Sequence, residues 1–254
     1  MTDLSRDLAV YADDEPITGF RHARLIGKDA IGLYPVPFTL QVWNLPSSDY
    51  FLLCAARELS VRHHDSVLAS GRIADICKHP VPEGMVTEIV FAAGLELWET
   101  PVNLSVEAGT SVSDTVRRIL DDADTGIRLL SFPGSDPVRT RGQAFSGRAA
   151  ECIETALSAA HARCCLTPSG LCVILGSDLP VSIELTEADL LDEPALAGNR
   201  FLVLRTKVIG WPLGKKVSVS WKGQTAEGLV AERTVDADNM EGKWQCELLV
   251  EVSV

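Results

Sequence analysis

Aromatic residues are sparse, at 6% of 254 positions, and no apolar stretch approaches the roughly 18 to 20 residues that a helix needs to span a bilayer. Membrane insertion through a helix is therefore excluded on length. The first positions, Met1 to Asp14, interleave Asp3, Arg6, Asp7, Asp13 and Asp14 with apolar residues, so the continuous apolar core of a secretory leader does not form. Synthesis and folding in the cytoplasm are expected. Basic charge is also short: 23 Lys and Arg stand against 35 Asp and Glu, a net charge of −12. Affinity for nucleic acid depends on cationic side chains releasing counterions, so sequence-specific nucleic-acid binding is disfavoured. An acidic wall does suit a lumen through which DNA slides without sticking.

Signatures of catalysis are missing too. The chain has no Gly-x-Ser-x-Gly, no phosphate-cradling Gly-x-x-x-x-Gly-Lys-Ser/Thr and no dinucleotide Gly-x-Gly-x-x-Gly. Seven cysteines, an odd number at irregular spacing, fit a reducing compartment, and Cys54, Cys77 and Cys172 lie in apolar runs where a thiol acts as a small hydrophobe. His161 with Cys164, Cys165 and Cys172 has the right atoms for zinc. The two adjacent cysteines and the position of His161 at a helix end favour plain packing instead. His63-His64-Asp65 reads as a polar hairpin end, because neighbours on a strand point to opposite faces and cannot share one metal unless the chain turns there. The acid pairs Asp121-Asp122 and Asp13-Asp14 are solvated faces in this reading, since paired catalytic carboxylates normally come from separate elements. No catalytic residue, cofactor or metal is assigned, and the chain is not expected to be an enzyme.

What is present is strand periodicity around an ordinary soluble composition, 46% hydrophobic and 23% charged. The clearest case closes the chain. Trp244, Cys246, Leu248, Val250 and Val252 take every second position, and Val217, Val219 and Trp221 alternate with Ser218 and Ser220. Gly223 marks a turn before a third apolar run, Leu229 to Val235, which makes three antiparallel strands. The polar stretch Asp236 to Gly242 is expected to be a rim loop. Near the start, Phe38, Leu40 and Val42 alternate before the turn cluster Asn44 to Asp49. A run from Tyr50 to Ala56 follows, then short strands Leu59–His63, Val67–Cys77 and Val86–Trp98, split by Gly71, Pro80, Pro82 and Gly84.

The middle differs. Val102, Leu104 and Val106 form a strand; Val112, Val116, Ile119, Leu120 and Ala123 share one helix face behind a Ser111 cap, with Gly126 placed to end the helix. Ile127 to Phe132 is a strand candidate before a polar loop to Gln143. A second helix with an alanine-rich face begins after Ser146, and Cys164–Leu166 with Leu171–Leu175 makes a hairpin around Pro168-Ser-Gly170. The acidic stretch from Gly176 to Asn199 is a connector with one strand at Val181–Leu185. The fold class is β-rich α+β: a first β domain over 1–100, an α+β domain with two helices over 101–176, and a connector with a second β domain over 177–254.

The basic features of this acidic chain are Arg139 and Arg141 on the polar loop and Lys215-Lys216 before a strand, which together with Trp211 beside Pro212 form the candidate interface residues.

A strand reaching Leu213-Gly214, then Lys216-Val-Ser-Val219, a middle strand, and Gly242-Lys243-Trp244 before the last strand resembles the end of tail hub (baseplate hub) proteins of contractile-tailed phages and related injection machines. The Asn44-Leu-Pro exit and Ser70-Gly71-Arg72-Ile73 fit the same pattern. The resemblance implies two small antiparallel β-barrel domains of the tail-tube type and a homotrimer whose barrels surround a pore. It also implies partners: tail tube or tube-initiator proteins, a central spike protein, and baseplate wedge proteins. The location implied is the virion tail baseplate. The rival readings are a soluble barrel enzyme or ligand-binding protein, and another adaptor of a contractile injection machine.

Overall fold

A computed structural model describes residues 6–132, 136–174, 181–207, 210–240 and 242–252. In chain order the first elements are β1 (Ala9–Ala12), β2 (Glu15–Ile17), β3 (His22–Ala30), β4 (Phe38–Trp43), helix α1 (Ser47–Ala55), β5 (Glu58–His63), β6 (Ser66–Val81) and β7 (Gly84–Ala92). The middle has α2 (Leu95–Glu99), β8 (Pro101–Val106), α3 (Val112–Ala123), β9 (Leu129–Ser131), β10 (Gln143–Arg148), α4 (Ala149–Ser158), β11 (Arg163–Thr167) and β12 (Gly170–Ile174). Then come β13 (Val181–Thr186), a 3-10 turn (Glu187–Asp189), β14 (Ala195–Ala197), β15 (Phe201–Thr206), β16 (Lys216–Trp221), β17 (Gln224–Asp238) and β18 (Trp244–Val252).

The chain divides into two compact units, one made of Met1–Ala30, Val36–Ala93 and Val181–Val254, the other of Ile31–Pro35 and Gly94–Pro180. In the first, thirteen described strands form one sheet, whose path runs β14-β15-β18-β17-β3-β4-β7-β6-β5-β1-β2, with β16 on β17 and β13 parallel to β16. The amino- and carboxy-terminal β regions thus share one sheet, and among the described residues its path does not close into two separate barrels. They join where β17 pairs antiparallel with β3, from Glu232 opposite Ala30 to Asp238 opposite Arg24. The inward positions Leu25, Leu40, Phe91, Val235, Leu248 and Val250 belong to one apolar cluster drawn from both regions. Burying such side chains, each worth about 1.5–3 kcal/mol, is what selects the register.

The three carboxy-terminal strands form as their alternation predicts. β16 and β17 are joined by a two-residue turn, Lys222-Gly223, whose positive φ angles of 46° and 76° match the right-handed twist of a hairpin. The expected rim loop is shorter than its polarity implies. Asp236, Ala237 and Asp238 continue β17, because Asp236 is held by Arg24 at 2.9 Å and Asp238 by His22 at 3.1 Å across the pair with β3. A cross-strand ion pair from Arg24 and a hydrogen-bonding contact with His22 make these carboxylates acceptable in a central strand.

Elsewhere the structure assigns a run that the sequence pattern left without a type, and moves some element bounds. The Tyr50–Ala56 run lies largely in helix α1, of which only Leu53 is fully buried, so it shows no one-sided apolar face. Gly71 does not break a strand but lies inside the sixteen residues of β6. Val86–Trp98 is strand only to Ala92, and Gly94 at φ 74° starts α2.

In the second unit β8 pairs with β10, while β9, β12 and β11 form a small mixed sheet. Ser111 caps α3 by accepting from the Asp114 N–H at 3.1 Å, as expected, but the left-handed cap falls on Asp124, ahead of Gly126. Ser146 does not start α4. It sits in β10 opposite Asn103, and the helix begins after Arg148, where pairing with β8 ends at Pro101.

Candidate functional site

Two places in the structure gather unusual polar chemistry. The first is at the β17–β3 junction. Arg233 is fully buried and its guanidinium donates to both carboxylate oxygens of Asp29, at 3.1 and 2.9 Å, to the Leu68 carbonyl at 2.6 Å and to the Gly210 carbonyl at 2.9 Å. The indole of Trp211 covers it at 4.4 Å, and the Phe38 ring lies 5.8 Å away. Burial pushes the Asp29 carboxyl above its ordinary value, against the opposing charge and hydrogen bonds of Arg233. Trp211, a candidate interface residue, is thus half-buried against this ion pair, and its Nε1–H has no hydrogen-bond partner among the described residues.

The second is the loop holding Arg139 and Arg141. Asp136 starts it by accepting from the Ser113 hydroxyl at 2.6 Å and the Ser113 N–H at 3.0 Å. Pro137 accepts from the Val112 N–H at 3.0 Å, and Arg139 exchanges backbone bonds with Gly109 and Thr110 at 2.9 and 3.0 Å. Pinned this way beside α3, the loop edges an open groove of about 530 Å³ that Arg139, Arg141, Val112 and Ala159 help to line. The Arg139 guanidinium lies 5.3 Å from the buried Phe145 ring, and its Nε and Nη1 are buried without a hydrogen-bond partner among the described residues. Arg141 is exposed at the rim.

Burial pushes the Asp136 carboxyl up, but the bonds from Ser113, Ser111 and Val112 outweigh it and hold the group below its ordinary value. A depressed carboxyl contributes stability above its unfolded value, near 3.8, and loses it as pH falls through the folded value. Asp136→Ala is therefore expected to cost about 1 kcal/mol at neutral pH, the usual loss for a helix-end side-chain acceptor. In urea titrations the gap between parent and variant should narrow below about pH 4; a constant gap would remove the ionised carboxylate from the account.

Lys215 and Lys216 are separated in role. Lys215 is exposed at a turn, whereas Lys216 opens β16 and pairs with Glu227 at 2.9 Å. The chain does turn at His64, at φ 49°, so the rings of His63 and His64 come within 4.2 Å, and Trp244 lies 5.2 Å from His63. Among the described residues no group of three or more His, Cys, Asp or Glu is placed to hold a metal ion. Cys164 and Cys165 are buried in β11, and burial pushes the Cys164 thiol up to about 12, as it does that of Cys246. A thiol held so high is neither nucleophile nor ready ligand. The Arg233–Asp29 pair escapes a search for motifs, yet each residue is a charge on the apolar phase of its strand, Arg233 with Val235 and Asp29 with Leu25.

With one sheet built from both terminal β regions and a second, helix-bearing unit, the chain shares its fold with solved phage tail proteins and with a component of the type VI secretion system. The tail protein from Neisseria meningitidis MC58 superposes with a TM-score of 0.71 at 10% identity, covering 96% of this chain and 95% of that one. The 43 kDa tail protein of prophage MuSo2 from Shewanella oneidensis gives 0.69 at 9% identity, over 97% and 98%. An E. coli component of the type VI secretion system, described as structurally similar to the T4 tail proteins gp27 and gp5, gives 0.65 at 11% identity, over 92% and 74%. No family model and no curated protein matches the chain by sequence.

Proposed function

We propose that this protein is a structural, non-catalytic component of a phage tail: a baseplate hub that joins the tail tube to the central spike as a homotrimer around a pore for DNA. The observation that carries the reading is the single sheet in which the two terminal β regions lie side by side through β17 and β3. In this reading residues 1–100 and 177–254 are two tube-type β domains flanking the α+β domain 101–176, and copies of the chain complete the ring. In this reading copies of the chain meet at the margins of the described sheet, where β2 and β14 have three residues each. A net charge of −12 suits a wall along which DNA passes without adhesion. The fold shared with a type VI secretion component favours, as a second reading, an adaptor of another contractile injection machine.

A density map of the assembled tail particle is the test. Three copies of this chain between tube and spike are expected. A different protein in that position, with this chain elsewhere or absent, overturns the assignment. Mass photometry of the purified chain with tube and spike proteins gives the companion measurement, in which only monomer counts against the trimer.

A further inference from the structure

We propose that the apolar face of helix α1 on one copy of the chain docks into the groove around Trp221 on a second copy, as the head-to-tail contact of the ring. The inference rests on the hub reading for the ring itself and names the two surfaces that build it. It starts from where the first unit leaves large apolar side chains in water. Single exposed apolar residues are ordinary, and Met85 and Met240 stand so, whereas contiguous ones mark contacts. Two places have them. On α1, Phe51 is 69% and Leu52 40% exposed, and Ala55, one turn beyond Phe51, is exposed on the same stripe. Around β14, Leu196 is 77% and Leu191 49% exposed, on either side of Pro194 in the chain.

The two surfaces differ in shape as a contact between unlike faces requires. The helix is the knob. Tyr50 lies beneath the Lys78 ammonium, 3.5 Å from its ring centre, and meets the Phe51 ring edge-on at 6.1 Å, which steadies Phe51 at the surface. The other surface is concave. Trp221 and Pro194 line both of two adjoining clefts, one of about 640 Å³ reaching Leu196, Leu202 and Val252, the other of about 250 Å³ reaching Leu191 and Glu187. The larger falls within the roughly 300–1,000 Å³ of built clefts. Charge agrees with the match: Lys78 beside the knob and Glu187 in the smaller cleft are of opposite sign, and neither makes an ion pair among the described residues. Topology names the occupant. The knob packs on β6, towards the β2 end of the sheet path, and the groove is built on β14, β15 and the β16–β17 hairpin, towards the other end. Both stay exposed in the single chain, so they do not meet within it, and every groove comes with a matching knob on another copy. Such a heterologous contact makes a ring when its rotation closes.

The test is sedimentation velocity of the purified full chain up to about 100 μM, where a contact with a micromolar Kd is saturated. Phe51→Asp removes the knob and Leu196→Asp spoils the groove. Both positions are exposed, so the urea midpoints should stay with the parent. The parent is expected to form trimer, and each variant to associate about thirty-fold more weakly, the scale for truncating an interface anchor. An equimolar mixture of the two variants reads the direction of the contact. It keeps one intact knob for one intact groove, and should give a dimer that neither variant forms alone. A monomeric parent, variants that assemble as the parent does, or a mixture no different from its components each overturns the inference. Loss of tube-protein binding in Leu196→Asp with self-association unchanged also overturns it, and gives the groove to the tube. None of these results decides the hub reading, which stands or falls on three copies in the tail density map. Should either variant fail to fold, Leu52→Asp and Leu191→Asp repeat the experiment.

Discussion

Arg233→Ala is expected to lower folding stability by about 3–5 kcal/mol, the range for breaking one partner of a buried ion pair. The substitution strands the Asp29 carboxylate, frees the Leu68 and Gly210 carbonyls from their donor, and leaves the Trp211 ring over a void. The pair sits in register, Arg233 opposite Asp29, where the amino- and carboxy-terminal β regions meet. Its loss should therefore loosen that junction before the distal strands. The sign of the pH effect follows from burial. Asp29 already titrates above its ordinary value of 3.8 in the folded chain, so its proton stabilises the fold below 3.8, and that contribution is lost as pH rises through the folded value. Without Arg233 opposing the burial, the folded value climbs further, and the variant should regain part of its stability on mild acidification. Removing both charges, as Arg233→Met with Asp29→Leu, should recover most of the loss. Urea unfolding of the four species as a cycle measures this. A single variant within 1 kcal/mol of the parent would mean that water replaces the pair and that the junction is held by apolar contact alone.

The same junction marks where sequence reading stops. β16, β17 and β18 are neighbours in the chain, and each shows its dry face as simple alternation, so their pairing is legible. The β17–β3 pair joins residues about two hundred positions apart, and alternation says that each strand has a dry face without saying which strand it meets. Two opposite charges on those dry faces are the one local sign that the strands are partners. Inside β17 the bulge between Val230 and Glu232 shifts the phase, so Val230 and Arg233 both point inward although they are three apart. Helix α1 was hidden for another reason: with Phe51 69% and Leu52 40% exposed, its apolar residues do not mark one face, and period 3.6 is absent. Arg139 and Arg141 stand out as cations in an acidic chain. That the Nε and Nη1 of Arg139 end buried and without a partner among the described residues depends on Phe145 and on the backbone of Gly109 and Thr110, which only folding brings together.

Gly71→Val is expected to cost about 3 kcal/mol, at the upper end for forcing atoms into packed space, and Gly71→Ala about 2. The reason lies in how β6 is shared. Residues 66–72 pair with β5 and residues 72–81 pair with β7, so the strand changes partners at Gly71 and Arg72. At that corner the chain passes so close to the end of β7 that a β-carbon on Gly71 would fall on the Ala92 carbonyl and 2.5 Å from the Ala93 nitrogen. Backbone, unlike a flexible side chain, has no rotamer by which to move aside. Gly109 separates this steric effect from the conformational one. It has a φ of 89°, and a β-carbon there would meet nothing within 4 Å, so Gly109→Ala meets only the left-handed penalty of about 1–2 kcal/mol. Thermal unfolding should therefore rank Gly71→Val as most damaging, with Gly71→Ala at or above Gly109→Ala and growing with side-chain size only at position 71. If valine and alanine at position 71 cost the same, close backbone approach is not what requires glycine there, and the corner between β5 and β7 must open to admit a side chain.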